Sequence, residues 1–157
     1  MRIGLSTPIT QAGAVKVRLL HEDSKLPYKA SKDAVGHDMF AYLSGGEIII
    51  PPGETALVGT GVAVTPPEGF WCALFARSGL AAKKGLRLAN SVGVVDPDYT
   101  GEIIAAIHND SAEPQTIQHG ERIVQMAVLP YLNAEMVRVD ELDDTERGSG
   151  GFGSTGK

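Results

Sequence analysis

Residues 48–75 read IIIPPGETALVGTGVAVTPPEGFWCALF: the apolar runs Ile48–Ile50, Leu57–Val64 and Phe70–Phe75, set apart by Pro51-Pro52-Gly53 and Pro66-Pro67-Glu68-Gly69. Runs this short, rich in β-branched and aromatic residues and closed by proline and glycine, predict strands joined by tight turns. The same grammar extends outward in both directions. Val15, Val17 and Leu19 alternate upstream, and Ile103–Ile107, Ile123–Val128 and Met136–Val139 follow downstream, with turns expected at Asn109-Asp110-Ser111 and His119-Gly120. Only Gly79–Lys84 has helical character, with Ser78 placed to cap it. The expected fold is all-β, a small jelly roll or distorted barrel with one short helix.

The chain has 157 residues, enough for one ordinary domain, and shows no internal repeat. Its opening residues lack the apolar run of a signal peptide and no later stretch approaches a membrane span, so a cytoplasmic location without membrane contact is expected. Cys72 is the only cysteine, which excludes intrachain disulfides and argues against thiolate zinc. The net charge of −5 argues against a nucleic-acid backbone as partner, because such binding needs a broad basic surface. A small anion remains compatible, since a few arginines and a divalent metal can hold phosphates locally. From residue 140 the chain turns acidic and then glycine-rich. Residues 1–146 are therefore expected to form the β domain and residues 147–157 a flexible arm.

Several segments carry candidate chemistry. Ala76-Arg77-Ser78-Gly79-Leu80-Ala81 sets a guanidinium, a hydroxyl and a glycine amide at a helix start, an anion-binding arrangement that is also compatible with an ordinary strand-to-helix turn. Gly93 to Ile103 places Asp96-Pro97-Asp98 in a turn between apolar runs. That is good hairpin chemistry, and such a turn can also present a carboxylate to a water. Arg147 to Gly156 would be a plain linker but for Phe152, an aromatic able to stack on a planar group while neighbouring polar atoms meet phosphates. Gly36-His37-Asp38-Met39-Phe40-Ala41 and Gly120-Glu121-Arg122-Ile123-Val124-Gln125-Met126 each read as a strand with an incidental polar residue. His21, His108 and His119 are too scattered for metal-ligand spacing and suit surface or strand-end positions. Trp71 and Cys72 suit the core, and Lys83 and Lys84 a solvated helix face.

In order, these five segments resemble the five motifs of the trimeric dUTP diphosphatase family. The resemblance implies a jelly-roll subunit, a homotrimer with sites shared between subunits, and hydrolysis of dUTP to dUMP and pyrophosphate, which limits uracil in DNA and supplies dUMP for thymidylate synthesis. By analogy, Asp96 is the general base toward the attacking water, Ser78, Arg77 and the Gly79 amide steady the leaving pyrophosphate, and Gln125 positions phosphate and water. Asn90, Gly93, Val94 and Val95 are expected around the uracil, Tyr99 under the deoxyribose, and Ile104 among the substrate-binding residues. Phe152 is expected over the base, with Arg147, Ser154 and Thr155 closing on the phosphates and Gly153 also binding substrate. Mg²⁺ is the implied cofactor, held mainly by the substrate phosphates and supported by Asp38 through water. His37 and Met39 stand where the family more often has tyrosine and leucine, and Ala76 where proline or glycine is common. His37, next to Asp38, is expected to adjust the pH profile modestly. A related deoxycytidine triphosphate deaminase, a nucleotide-sensing protein that does not turn over, and a plain structural β-protein are the competing readings.

Overall fold

The computed structural model describes residues 13–151, which form a β-protein with one helix. Eleven strands, β1 (Lys16–Leu19), β2 (His37–Phe40), β3 (Glu47–Ile50), β4 (Thr55–Gly59), β5 (Val62–Thr65), β6 (Phe70–Ala76), β7 (Leu86–Leu88), β8 (Gly93–Val95), β9 (Ile104–Asn109), β10 (Gln115–Gln118) and β11 (Arg122–Pro130), accompany one helix, α1 (Ser78–Lys84). They form four antiparallel sheets, ordered β1-β5, β10-β3, β2-β11-β6-β8 and β4-β9-β7. The all-β expectation is met.

One apolar cluster joins the sheets, built from Met39, Ile50, Val58, Leu74, Leu86, Ile107, Ile117, Ile123 and Met126 among others. Full burial of such a side chain is worth about 1.5–3 kcal/mol, so this cluster is the main force holding the sheets together. In β6 the consecutive residues Cys72, Ala73 and Leu74 are all buried, and in β5 Val62, Ala63 and Val64 are. Burial without alternation marks strands covered on both faces, which is why these stretches read as unbroken apolar runs.

Three expectations are corrected. The run Leu57–Val64 is not one strand: it breaks at Thr60-Gly61, where the chain leaves β4 and its partner β9 for β5 and its partner β1. Gly61 takes φ +67° in close approach to the Ser24 hydroxyl and the Tyr42 ring, while the buried Thr60 hydroxyl donates to the Ile103 carbonyl at 2.7 Å. Glycine is needed at this corner, since other residues rarely adopt such a φ. Met136–Val139 forms no strand with the described residues, and Met136, Val137 and Val139 are exposed. Ser78 does not cap α1: Arg77 occupies the cap position with extended backbone and no side-chain cap bond, and Ser78 is the first helical residue. A serine already in helical conformation cannot place its oxygen on the amides ahead of it.

Candidate active site

Alternation on β2 sends neighbouring side chains to opposite faces. Met39 goes into the core, and Asp38 faces the other way beside Gln125, its cross-strand partner on β11. Gln125 also stands opposite Phe75 of β6, and its side-chain amide donates to the Ala76 carbonyl at 3.0 Å. A Cβ on Gly36 would run into the Gln125 amide oxygen, so glycine at that position lets the amide lie flat. Immediately after Ala76, the Arg77 Nε donates to Asp38 Oδ1 at 2.8 Å. The Arg122 Nη1 donates to Asp38 Oδ2 at 3.1 Å, and Arg77 Nη1 donates to the Arg122 carbonyl at 3.3 Å.

Helix α1 follows directly. It is pinned by buried Leu80 and stopped by Gly85 at φ +66°, whose N–H donates to the Leu80 carbonyl. Ser78 and Gly79 lie exposed at its open first turn, and a Cβ on Gly79 would meet nothing within 4 Å. Lys84 is not a free solvated cation: its Nζ donates to Glu121 Oε1 at 2.7 Å. Asp38, Arg77, Ser78, Gly79 and Gln125 therefore gather at one end of the four-stranded sheet.

The other expected residues form a second group. Asn90, Gly93, Val94, Val95, Asp96, Tyr99 and Ile104 line a cavity of about 230 Å³ together with Leu74, Glu102 and Ile103. Its wall is not the simple hairpin expected from Asp96-Pro97-Asp98. The chain departs from β7, which pairs with β9, and returns through β9, but between them β8 leaves to pair with β6. Gly93 permits this, since a Cβ there would lie 2.9 Å from the Leu74 Cβ. Tyr99 donates its hydroxyl to the Glu102 carbonyl at 2.8 Å, with its ring against Gly101. The cavity thus offers an Asn amide, a carboxylate, an aromatic ring and apolar walls, a set suited to a flat polar ring on a sugar.

The two groups do not meet within one chain. β8 runs antiparallel to β6 with Val95 opposite Cys72, so Asp96 continues toward the Trp71 end while Arg77 leaves from the Ala76 end. At ~3.3 Å per residue, Asp96 and Arg77 are roughly 20 Å apart along the strand. Arg147 joins neither group, and its Nε donates to the Gly150 carbonyl in its own turn. Phe152, Gly153, Ser154 and Thr155 lie outside the described residues.

His37 shares the Met39 face, not that of Asp38. It lines an apolar cavity of about 700 Å³ with Val15, Val17, Met126 and Val128, and its Nδ1 is buried without a hydrogen-bond partner among the described residues. Adjacency in sequence does not bring its ring to the Asp38 carboxylate. The other histidines have structural partners: His21 stacks on Tyr42, and His119 meets that ring edge-on while its Nδ1 accepts from the Leu43 N–H. His108 contacts Thr55 and Asp110. Among the described residues no group of three or more His, Cys, Asp or Glu side chains is arranged to hold a metal. Nor is any helix long and apolar enough to cross a membrane. The pairing of Arg122 with Asp38 had no signal in the sequence beyond a charge ahead of an apolar run.

A model of the dUTPase family matches residues 22–156. The chain belongs to the dUTPase family. The deoxyuridine 5'-triphosphate nucleotidohydrolase of Desulfitobacterium hafniense (strain DSM 10664 / DCB-2) is 47% identical over 145 residues, covering 90% of this chain and 95% of that relative. Among solved structures, a mutant dUTPase of Staphylococcus bacteriophage 80alpha with dUpNHpp superposes with a TM-score of 0.80 at 28% identity, covering 92% of this chain and 99% of the other. A mutant dUTPase from phage phi11 of S. aureus, described for its coordination of a structural Mg(II) ion, gives a TM-score of 0.72 at 26% identity over 82% of this chain and 98% of that one. Membership in the dUTPase family agrees with the all-β fold and with the chemistry of the two groups.

Proposed function

We propose that the chain hydrolyses dUTP to dUMP and pyrophosphate in the cytoplasm, as a homotrimer whose sites are each completed between chains. The observation that carries the assembly is the separation of the two half-sites. One holds Asp38, Arg77, Ser78 and Gln125, the other Asn90, Asp96 and Tyr99, and roughly 20 Å of strand lies between Arg77 and Asp96 in the same chain. A second chain supplying the Asp96 group to the Arg77 group removes that distance. The exposed apolar side chains of Leu132, Met136, Val137, Val139 and Leu142, on a stretch with no strand partner among the described residues, give a neighbouring subunit something to cover. The arm of residues 147–157 then closes over a completed site.

In this reading the Asp96 carboxylate orients the water and takes its proton as the water attacks the α-phosphorus in line with the departing pyrophosphate. The Arg77 guanidinium, the Ser78 hydroxyl and the Gly79 N–H stabilise charge developing on the leaving oxygens, where donors fixed in advance are worth most. Gln125, tied to the Ala76 carbonyl, orients the phosphate. The cavity around Asn90 selects uracil, and Tyr99 packs against the deoxyribose where a 2′-hydroxyl would stand. Asp38 is a lone carboxylate with each oxygen accepting from an arginine, which suits contact with a hydrated Mg²⁺ through water and not a protein cage. Bound with the triphosphate, that ion supplies charge neutralisation at the phosphates.

The test is pyrophosphate release from dUTP, with dCTP, dTTP and UTP in parallel, for the wild type, Asp96→Asn and Arg77→Ala. Release from dUTP alone, lost in both variants, is expected. Co-refolding equal amounts of the two inactive variants should restore about a quarter of wild-type activity, because a quarter of shared sites draw an intact half from each variant. No recovery in mixed oligomers would sink the shared site, and ammonia release from dCTP would replace phosphorus chemistry with deamination.

A further inference from the structure

We infer that Arg122 is a positioning residue for the reaction, acting through Asp38 and Arg77; the inference rests on the site assignment above. Asp38, Arg77 and Arg122 form a closed triangle. Each Asp38 oxygen accepts from a different guanidinium, at 2.8 Å from Arg77 and 3.1 Å from Arg122, and the Arg122 carbonyl accepts in turn from Arg77 Nη1 at 3.3 Å. The three corners come from β2, from the junction of β6 with α1, and from the start of β11. Exposure falls from 43% of the Arg122 side chain to 24% for Arg77 and 13% for Asp38, so Arg122 closes the triangle from the solvent side.

The backbone is bent to make this contact. Regular alternation from Gln125, which shares the Asp38 face, would put Ile123 on that face and turn Arg122 into the core. Instead the β11–β2 ladder shifts register between Arg122 and Val124, and Ile123 and Val124 are both buried. An irregularity of this kind re-aims the next side chain, and here it delivers Arg122 to Asp38. The adjacent Glu121 holds Lys84 at 2.7 Å, so one turn anchors the last residue of α1 as well as the arginine that precedes the helix.

The consequence is orientational. With Nε spent on Asp38 and Nη1 on the Arg122 carbonyl, Arg77 keeps Nη2 for a phosphate oxygen, and its plane cannot rotate. Without Arg122, Asp38 is held at one oxygen only, and both it and Arg77 gain freedom. Placement errors of about 1 Å in such groups can cost up to ~10²-fold in rate. Arg122 joins this pair from the solvent side and Asp38 keeps its bond from Arg77, so removing Arg122 should change stability little.

The experiment is a double-mutant cycle with Arg122→Gln, Asp38→Asn and the double variant, read as kcat and kcat/KM for dUTP beside Tm. Arg122→Gln should lower kcat/KM roughly tenfold with Tm nearly unchanged. In the Asp38→Asn background it should cost less than about threefold, the non-additivity expected of groups acting through one another. Arg122→Lys should rescue part of the loss. Additive losses, or a loss that follows Tm, would overturn the inference. The Arg77 Nε–H resonance gives a readout independent of turnover: it should lose its protection from solvent exchange in Arg122→Gln. An unchanged Arg77 signal overturns the inference even if dUTP is hydrolysed, whereas a changed signal in a protein that leaves dUTP intact overturns the proposed function instead.

Discussion

Replacing Gly93 with alanine adds a single methyl group at the contact that lets β8 join β6. The new Cβ would lie 2.9 Å from the Leu74 Cβ and 3.1 Å from its Cδ1, against a comfortable carbon–carbon separation of about 3.5–4.0 Å. Leu74 cannot yield, because β6 is held on its other side by β11 and Leu74 itself is buried in the core. The three-residue edge strand β8 must therefore move, by roughly 0.6–1.1 Å to restore contact distance. Overpacking of this size costs about 1–3 kcal/mol, measurable as a lowered urea midpoint. Asp96 directly follows the displaced strand. A shift near 1 Å at the carboxylate proposed as the general base should lower kcat/KM for dUTP by up to ~10²-fold, about 2.7 kcal/mol of transition-state stabilisation. The assays are pyrophosphate release and urea unfolding of the same preparation. Wild-type kcat/KM with an unchanged midpoint would refute the proposition that close β6–β8 packing sets the position of Asp96.

Asn109 is fully buried, with its Nδ2 donating to the Ile50 and Glu113 carbonyls at 2.9 and 2.8 Å and its Oδ1 accepting from the Ser111 N–H at 2.9 Å. Asn109→Ala leaves these groups without partners and should cost about 3–5 kcal/mol in urea unfolding, and a loss below about 1 kcal/mol would contradict the bonding described. The Asp110 carboxyl is held below its ordinary pKa, first by the hydrogen bond from Arg87 and then by the positive charges of Arg87 and His108. Its ionised form therefore stabilises the fold above the unfolded carboxylate pKa of about 3.9, and that contribution fades as pH falls through the lower folded value. Asp110→Asn should melt below the wild type at neutral pH, with the gap closing below about pH 4. A gap independent of pH would exclude this charge effect.

The strand content was legible because the core strands are short apolar runs closed by proline and glycine, and that pattern depends only on local chemistry. The run Leu57–Val64 misled, because both strands it contains are apolar and the corner between them depends on Gly61 meeting Ser24 and Tyr42. Met136–Val139 has strand composition but no partner among the described residues, and a strand exists only through its pairing. Lys84 looked like solvent-facing charge because its partner Glu121 comes from a distant part of the sequence.

The motif residues, their order and the family they point to were thus decided by the sequence alone, because residue type sets chemistry and local turns set spacing. Which of them share a site was decided by strand pairing. The antiparallel register of β8 on β6 carries Asp96 away from Arg77, and the irregular β11–β2 ladder turns Arg122 toward Asp38. Both outcomes depend on contacts between segments far apart along the chain: alternation along a strand tells which of its residues share a face, but which strands pair, and where a ladder shifts, is settled only when those segments meet.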